Sequence, residues 1–114
     1  MELRCTLHSA YRTDVLTVTG DIDMDGGDEL RRAQEALGAL RRPLRIDLTG
    51  VTFMDSTGAH FLTDLQRRAT AVGTSLVIVG IPVGPARLLR MLGLTGFHLE
   101  RPQSGELWER EVGV

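Results

Sequence analysis

Apolar and polar residues alternate in a way that changes period several times along the chain. Leu3, Cys5 and Leu7 alternate with polar neighbours and predict a half-buried strand over residues 2–8. The β-branched run DVLTVT, residues 14–19, predicts a second strand, with HSAYRTD as the turn of a hairpin. The period then lengthens. Leu30, Ala33, Leu37 and Leu40 recur at helical spacing and predict a first helix from Asp28 to Leu40, stopped by Pro43. Acidic residues at its start and Arg41–Arg42 at its end suit the helix dipole. Leu44, Ile46 and Leu48 return to a strand period within LRIDLTGVTF, where Gly50 permits a bend and Val51 and Phe53 alternate like a strand end. Phe61, Leu62, Leu65, Ala69 and Val72 mark a second helix from Thr57 to Val72, closed by Gly73.

The unbroken apolar run SLVIVG, ending at Gly80, predicts a deeply buried interior strand. Pro82 and Pro85 open a third helix carrying Leu88, Leu89 and Leu92 and ending at Gly93. Residues 97–99, FHL, suit a last short strand, and ELWERE a final helical turn or two. Strand–helix–strand units with short connections require parallel, right-handed crossovers, and the opening hairpin adds an antiparallel pair. The expected fold class is α/β, with a mixed, mostly parallel sheet and helices packed against it.

Composition narrows this picture. One domain fits 114 residues, with a core at about 2–100 and a compositionally distinct tail at 101–114 around Trp108. Aromatics are only 4% of residues, so aliphatic side chains must build the core. A formal net charge of -2, with the arginine pairs 31–32, 41–42 and 67–68 scattered, gives no footprint for nucleic acid or an acidic membrane. Cys5 is the sole cysteine, which excludes an internal disulfide and a cysteine-based metal site. The first residues lack the apolar run of a signal peptide, and no stretch is long enough to span a bilayer, so a cytoplasmic protein is expected.

Candidate chemistry concentrates in two polar stretches that follow strands. Asp21, Asp23, Asp25 and Gly26 match the start of a calcium-binding loop, but Arg32 stands where the bidentate Glu is required, and a strand precedes in place of a helix. The plainer reading is an acidic loop in which Asp25 or Asp28 caps the first helix, with Asp21 and Asp23 just beyond a strand end, where α/β sheets gather functional loops. Ser56 and His60 share a helix face, yet a hydrolase also needs a group to orient the histidine and an oxyanion hole, and the Gly-x-Ser-x-Gly elbow is missing. No phosphate-binding glycine loop is present, and His8 and His98 have no partners at metal-ligand spacing.

Asp55, Ser56, Thr57 and Gly58 remain. One of the three polar side chains caps the second helix. A serine there can also accept phosphate, whose dianion free N–H groups at the helix start would stabilise.

These pieces together resemble a STAS domain (sulfate transporter and anti-sigma factor antagonist). GDID, residues 20–23, is similar to the family's Gly-x-Leu/Ile-Asp after its second strand. IDLTGVTFMDSTG, residues 46–58, resembles the strand-to-helix segment of the antagonists, and LVIVG at 76–80 with LGL at 92–94 resembles the remainder. The resemblance implies a single STAS-like domain acting as a non-enzymatic anti-sigma factor antagonist in transcriptional partner switching. Ser56 would be the phosphoacceptor, with Thr57 as a minor candidate. Asp21, Asp23, Asp55, Ser56, Thr57, Gly58 and His60 would meet the partner. That partner would be an anti-sigma factor with serine kinase activity, and a PP2C-like phosphatase would reset the switch. ATP and magnesium would belong to the kinase, leaving this chain without a cofactor. The family often places an apolar residue or two straight after the motif's glycine, where this chain has Ala59 and His60. Two alternatives stand beside this reading: a constitutive accessory subunit of a transport ATPase, and a small-ligand-sensing module.

Overall fold

In the computed structural model, which describes residues 1–81 and the backbone of 98–100, five strands form one sheet in the order β1-β2-β3-β4-β5. β1 (Arg4–Ala10) and β2 (Thr13–Ile22) make the antiparallel hairpin. β3 (Leu44–Met54), β4 (Leu76–Val79) and β5 (His98–Glu100) add to it in parallel. Two helices, α1 (Gly27–Leu37) and α2 (Ser56–Val72), connect the parallel strands. This is the mixed, mostly parallel α/β sheet expected from the sequence, and the FHL strand is present one residue further on. The third helix and the ELWERE turn lie outside the described residues.

The core lies where the two periods meet. Leu16, Val18 and Ile22 from β2, Leu44, Ile46 and Leu48 from β3, and Ile78 from β4 are fully or almost fully buried. Ala59, Phe61, Leu62, Leu65 and Ala69 of α2 pack against them, with Leu30, Ala33 and Leu37 of α1. Each fully buried Leu or Ile contributes about 1.5–3 kcal/mol over its exposed state. Val72, expected on the apolar stripe of α2, is exposed in the helix's last turn. Gly73 closes that helix at φ 78°, with its own N–H and that of Thr74 turned back to the carbonyls of Thr70 and Ala69.

Several expected boundaries move. The hairpin turn is only Tyr11–Arg12, because Ala10 pairs with Thr13 and both strands run on to meet it. α1 stops at Leu37 instead of Leu40, since Gly38 turns to φ 55° and leaves the helical path. Leu40 nevertheless folds back into the core. Arg41–Arg42 therefore do not meet the C-terminus of α1. Arg68 of α2 does so, donating to the Gly38 carbonyl and, at 3.5 Å, to the Gln34 side chain. Arg42 braces the hairpin through the Ala10 carbonyl and Asp14.

β3 departs from simple alternation. Thr17 pairs with Asp47 but Thr19 with Gly50, and Gly20 pairs with Val51 but Asp21 with Phe53. β3 thus carries an extra residue at each step, and the Asp47 carboxylate accepts the Thr49 N–H at the first, 2.9 Å away. The inward positions become Leu48, Val51 and Met54. Phe53, next in the alternation, is rotated outward and left 51% exposed.

Candidate functional site

β2 and β3 are parallel neighbours, so their C-terminal ends deliver both polar stretches to one end of the sheet. Ile22 pairs with Met54, and the Asp55 N–H donates to the Ile22 carbonyl at 3.1 Å. That bond ties the Asp21–Asp23 stretch to the start of α2.

Asp55 is the residue that caps α2. Its backbone is extended, and its carboxylate accepts the Thr57 N–H at 2.8 Å. The Gly58 and Ala59 N–H groups point to the Asp55 carbonyl, at 3.1 and 3.3 Å. Ser56, the first helical residue, is exposed, and its hydroxyl bonds to no described residue. Thr57 is half-buried. Most first-turn donors are thus already taken, and only the Ser56 N–H is left for a phosphate. The Ser56 side chain stands exposed beside the half-buried Asp55.

Gly58 is a packing requirement. A Cβ there would run into the Met54 side chain and come within 2.9 Å of Ile22. Ala59 is fully buried, as an apolar family position would be, while His60 is exposed. His60 lines a groove of about 310 Å³ between the helices with Thr57, Phe61, Gly27, Leu30 and Gln34. Among the described residues no hydrogen bond joins His60 to Ser56.

The other stretch is organised differently. Asp21 belongs to β2 itself and not to the loop beyond it. One of its oxygens accepts the Met1 ammonium at 2.8 Å and the other the Thr52 hydroxyl. These bonds, the ammonium's first, hold its carboxyl below the usual range. Asp23 accepts the Asp25 N–H at 3.0 Å and caps a 3-10 turn, Met24–Gly26, that leads into α1. Neither Asp25 nor Asp28 caps α1; its N-cap is Gly26, with no side-chain bond. Asp21, Asp23 and Asp25 do not converge as a calcium loop would, and among the described residues no group of three or more potential ligands is arranged to hold a metal.

Sequence reasoning missed Phe53 and Met24. Both are exposed and flank the two polar stretches. The bulges that turn Phe53 outward leave no clear mark in the sequence beyond Gly50. Cys5 lies apart, on β1, and burial together with the nearby Glu29 carboxylate pushes its thiol up to about 11.

No helix among the described residues is long and apolar enough to cross a membrane. A comparison with curated proteins gives no match. Several solved structures share the fold. An anti-sigma factor antagonist from Mycobacterium paratuberculosis has 24% identity and a TM-score of 0.75 over 97% of this chain and 95% of that one. A serine-to-glutamate variant of RsbS from Moorella thermoacetica has 17% identity and a TM-score of 0.72 over 97% and 99%. SpoIIAA of Bacillus in its phosphorylated form has 17% identity and a TM-score of 0.69 over 93% and 97%. The family model described as "Mlab, STAS domain" matches residues 5–101, and the chain belongs to the STAS domain family.

Proposed function

We propose that this chain is an anti-sigma factor antagonist and that Ser56 is its switch. In the unmodified state it binds an anti-sigma factor with serine kinase activity. The kinase, supplying ATP and magnesium, phosphorylates Ser56, the complex dissociates, and the anti-sigma factor is free to hold its sigma factor. A PP2C-like phosphatase restores the binding form. The chain is a substrate and binding partner here, with no catalysis of its own, and it works in the cytoplasm.

One observation carries this reading: Asp55 alone caps α2, which leaves the Ser56 hydroxyl exposed and unbonded at the helix start. A hydroxyl engaged in capping would have to be released before transfer. Phosphorylation adds about −1.5 to −2 charge at neutral pH. With the neighbouring donors taken, this charge is presented to whatever covers the site, and an unpaired charge buried in an interface costs several kcal/mol. Asp21, Asp23, Thr57, Gly58 and His60 then shape the surface around the acceptor, with Thr57 less accessible than Ser56. A fold shared with a phosphorylated SpoIIAA agrees with this mechanism.

The test is phosphorylation by a purified anti-sigma serine kinase with Mg-ATP, read by mass spectrometry, together with binding of two variants. Ser56 should carry the phosphate, Ser56→Ala should fold and bind, and Ser56→Asp should bind at least tenfold more weakly. Equal binding by both variants would remove charge as the signal. A second reading, the constitutive accessory subunit of a transport ATPase, fits the same STAS fold. It would use the same surface, and there Ser56→Asp, Ser56→Ala and the unmodified chain should stay equally active with no phosphate ever found.

A further inference from the structure

Three features lie outside the Ser56 site: the β1 edge of the sheet, which no other described strand pairs, the tip of the hairpin and an acidic cleft. β1 is an edge strand, and its register with β2 runs without a bulge from Arg4 to Ala10. Ala10 and Thr13 close a two-residue turn, and such a pair exchanges both backbone hydrogen bonds. Alternation then turns the backbone N–H and C=O groups of Cys5, Leu7 and Ser9 away from β2. An independent observation agrees: the Cys5 N–H donates not to β2 but to the Glu29 carboxylate of α1, at 3.1 Å. The outward N–H groups of Leu7 and Ser9 meet no partner among the described residues. Such an edge is a template for another strand, and β1 carries no Lys or Pro to blunt it.

The two ends of this hairpin differ in charge. At the tip, Tyr11 is 83% exposed, and the Arg12 guanidinium stacks 5.1 Å from its ring centre. At the other end of β1 lies a cleft of about 440 Å³ whose lining includes Glu2, Asp21, Asp23, Asp25, Asp28 and Glu29. Asp21, Asp28 and Glu29 have cationic partners. Asp23 acts on the Met1 ammonium at longer range, and Glu2 and Asp25 have no cationic partner among the described residues.

We propose that the chain self-associates through β1, antiparallel, about a two-fold axis at Leu7, with Arg12 of each copy entering the acidic cleft of the other. Leu7 then faces Leu7, and Cys5 faces Ser9. Two steps further out Leu3 faces Tyr11, and beyond it Glu2 faces Arg12. Each Leu7 N–H gains the other copy's Leu7 carbonyl and each Ser9 N–H gains the Cys5 carbonyl, while Glu29 keeps the Cys5 N–H. The register is selected by charge. A shift by two residues one way sets Arg12 against Arg4, and the other way takes it off Glu2. The pairing is isologous and closed, so it stops at a dimer. Its small area belongs to the weak end of specific interfaces.

Sedimentation equilibrium of the full chain from micromolar to millimolar concentration tests this. The mass should rise toward that of a dimer and fall back with added salt. Arg12→Asp, which tolerates the positive φ, and Asp25→Arg should each shift the midpoint at least tenfold higher, and the double variant should recover most of the loss. Amide exchange at Leu7 and Ser9 should slow as concentration rises, with Thr6 and His8 unchanged. A chain that stays monomeric at millimolar concentration overturns the proposal. So does a dimer indifferent to either charge reversal, a double variant weaker than both singles, or protection at Leu7 and Ser9 that is independent of concentration.

Discussion

The two strand-to-helix junctions at the end of the sheet begin from the same materials and reach different ends. Between β2 and α1 the chain spends Asp23 on a 3-10 turn and ties Asp21 to Met1 and Thr52. It then enters the helix through a glycine with no side-chain cap. Between β3 and α2 a single carboxylate, Asp55, caps the helix directly and leaves two hydroxyls over. The first junction spends Asp21 and Asp23 on holding the chain in place, and the Asp25 carboxylate is left over there without an ion pair among the described residues. The second meets the structural demand with one side chain, and Ser56 is left exposed without being needed to hold the helix.

The glycines of the two helix starts should separate the junctions most. Gly58 is packed on Met54 and Ile22, whereas a Cβ on Gly27 would meet nothing within 4 Å. Gly58→Ala should destabilise by about 1–3 kcal/mol through overpacking. Gly27→Ala should be neutral or stabilise by up to about 1 kcal/mol through helix propensity. Urea denaturation of both variants reads the difference directly, and equal midpoints would break the comparison.

Removing the caps should have the next largest effect. Asp55→Ala should cost about 1 kcal/mol, as loss of an N-cap does. Asp23→Ala caps only a three-residue turn and should cost within about 0.5 kcal/mol, the range of ordinary surface changes. Ser56→Ala belongs with the second group, since its hydroxyl holds nothing. If Ser56→Ala cost as much as Asp55→Ala, Ser56 would share the capping and could not be the idle hydroxyl that phosphorylation requires.

These junctions also show what the sequence could and could not reveal. Strand and helix identities were legible because period two and period 3.6 are written into Leu3–Leu7, Leu44–Leu48 and Phe61–Ala69. The motif at Ser56 was legible because three capping residues in succession exceed what a cap needs. Which of them capped was not, because Asp, Ser and Thr serve nearly equally and tertiary geometry decides. The outward turn of Phe53 was not legible because the bulges opposite Thr17–Thr19 and Gly20–Asp21 arise from pairing between strands, which local periodicity does not encode. The end of α1 was misplaced because Leu40 has the right spacing, and its burial comes from the chain folding back after Gly38. Tertiary contact again outweighed pattern where Arg68, from another helix, took the place expected for Arg41–Arg42.

The smallest contrast is one of pH. Asp21 is the carboxylate at this end of the sheet whose pKa is lowered, first by the bond from the Met1 ammonium and then by that from Thr52. A carboxylate lowered in the folded state binds its proton less readily there than in the unfolded chain. Its contribution is therefore complete above the unfolded value of about 3.9 and is lost as pH falls through the lower folded value. Because the group is solvent-accessible, the effect is small and is screened by salt. Asp21→Asn should flatten the acid limb of a stability–pH curve below about pH 4 and leave the slope above it unchanged. An acid limb equally steep in the Asp21→Asn variant would mean that Asp21 is free in solution. The first junction would then be as open as the second.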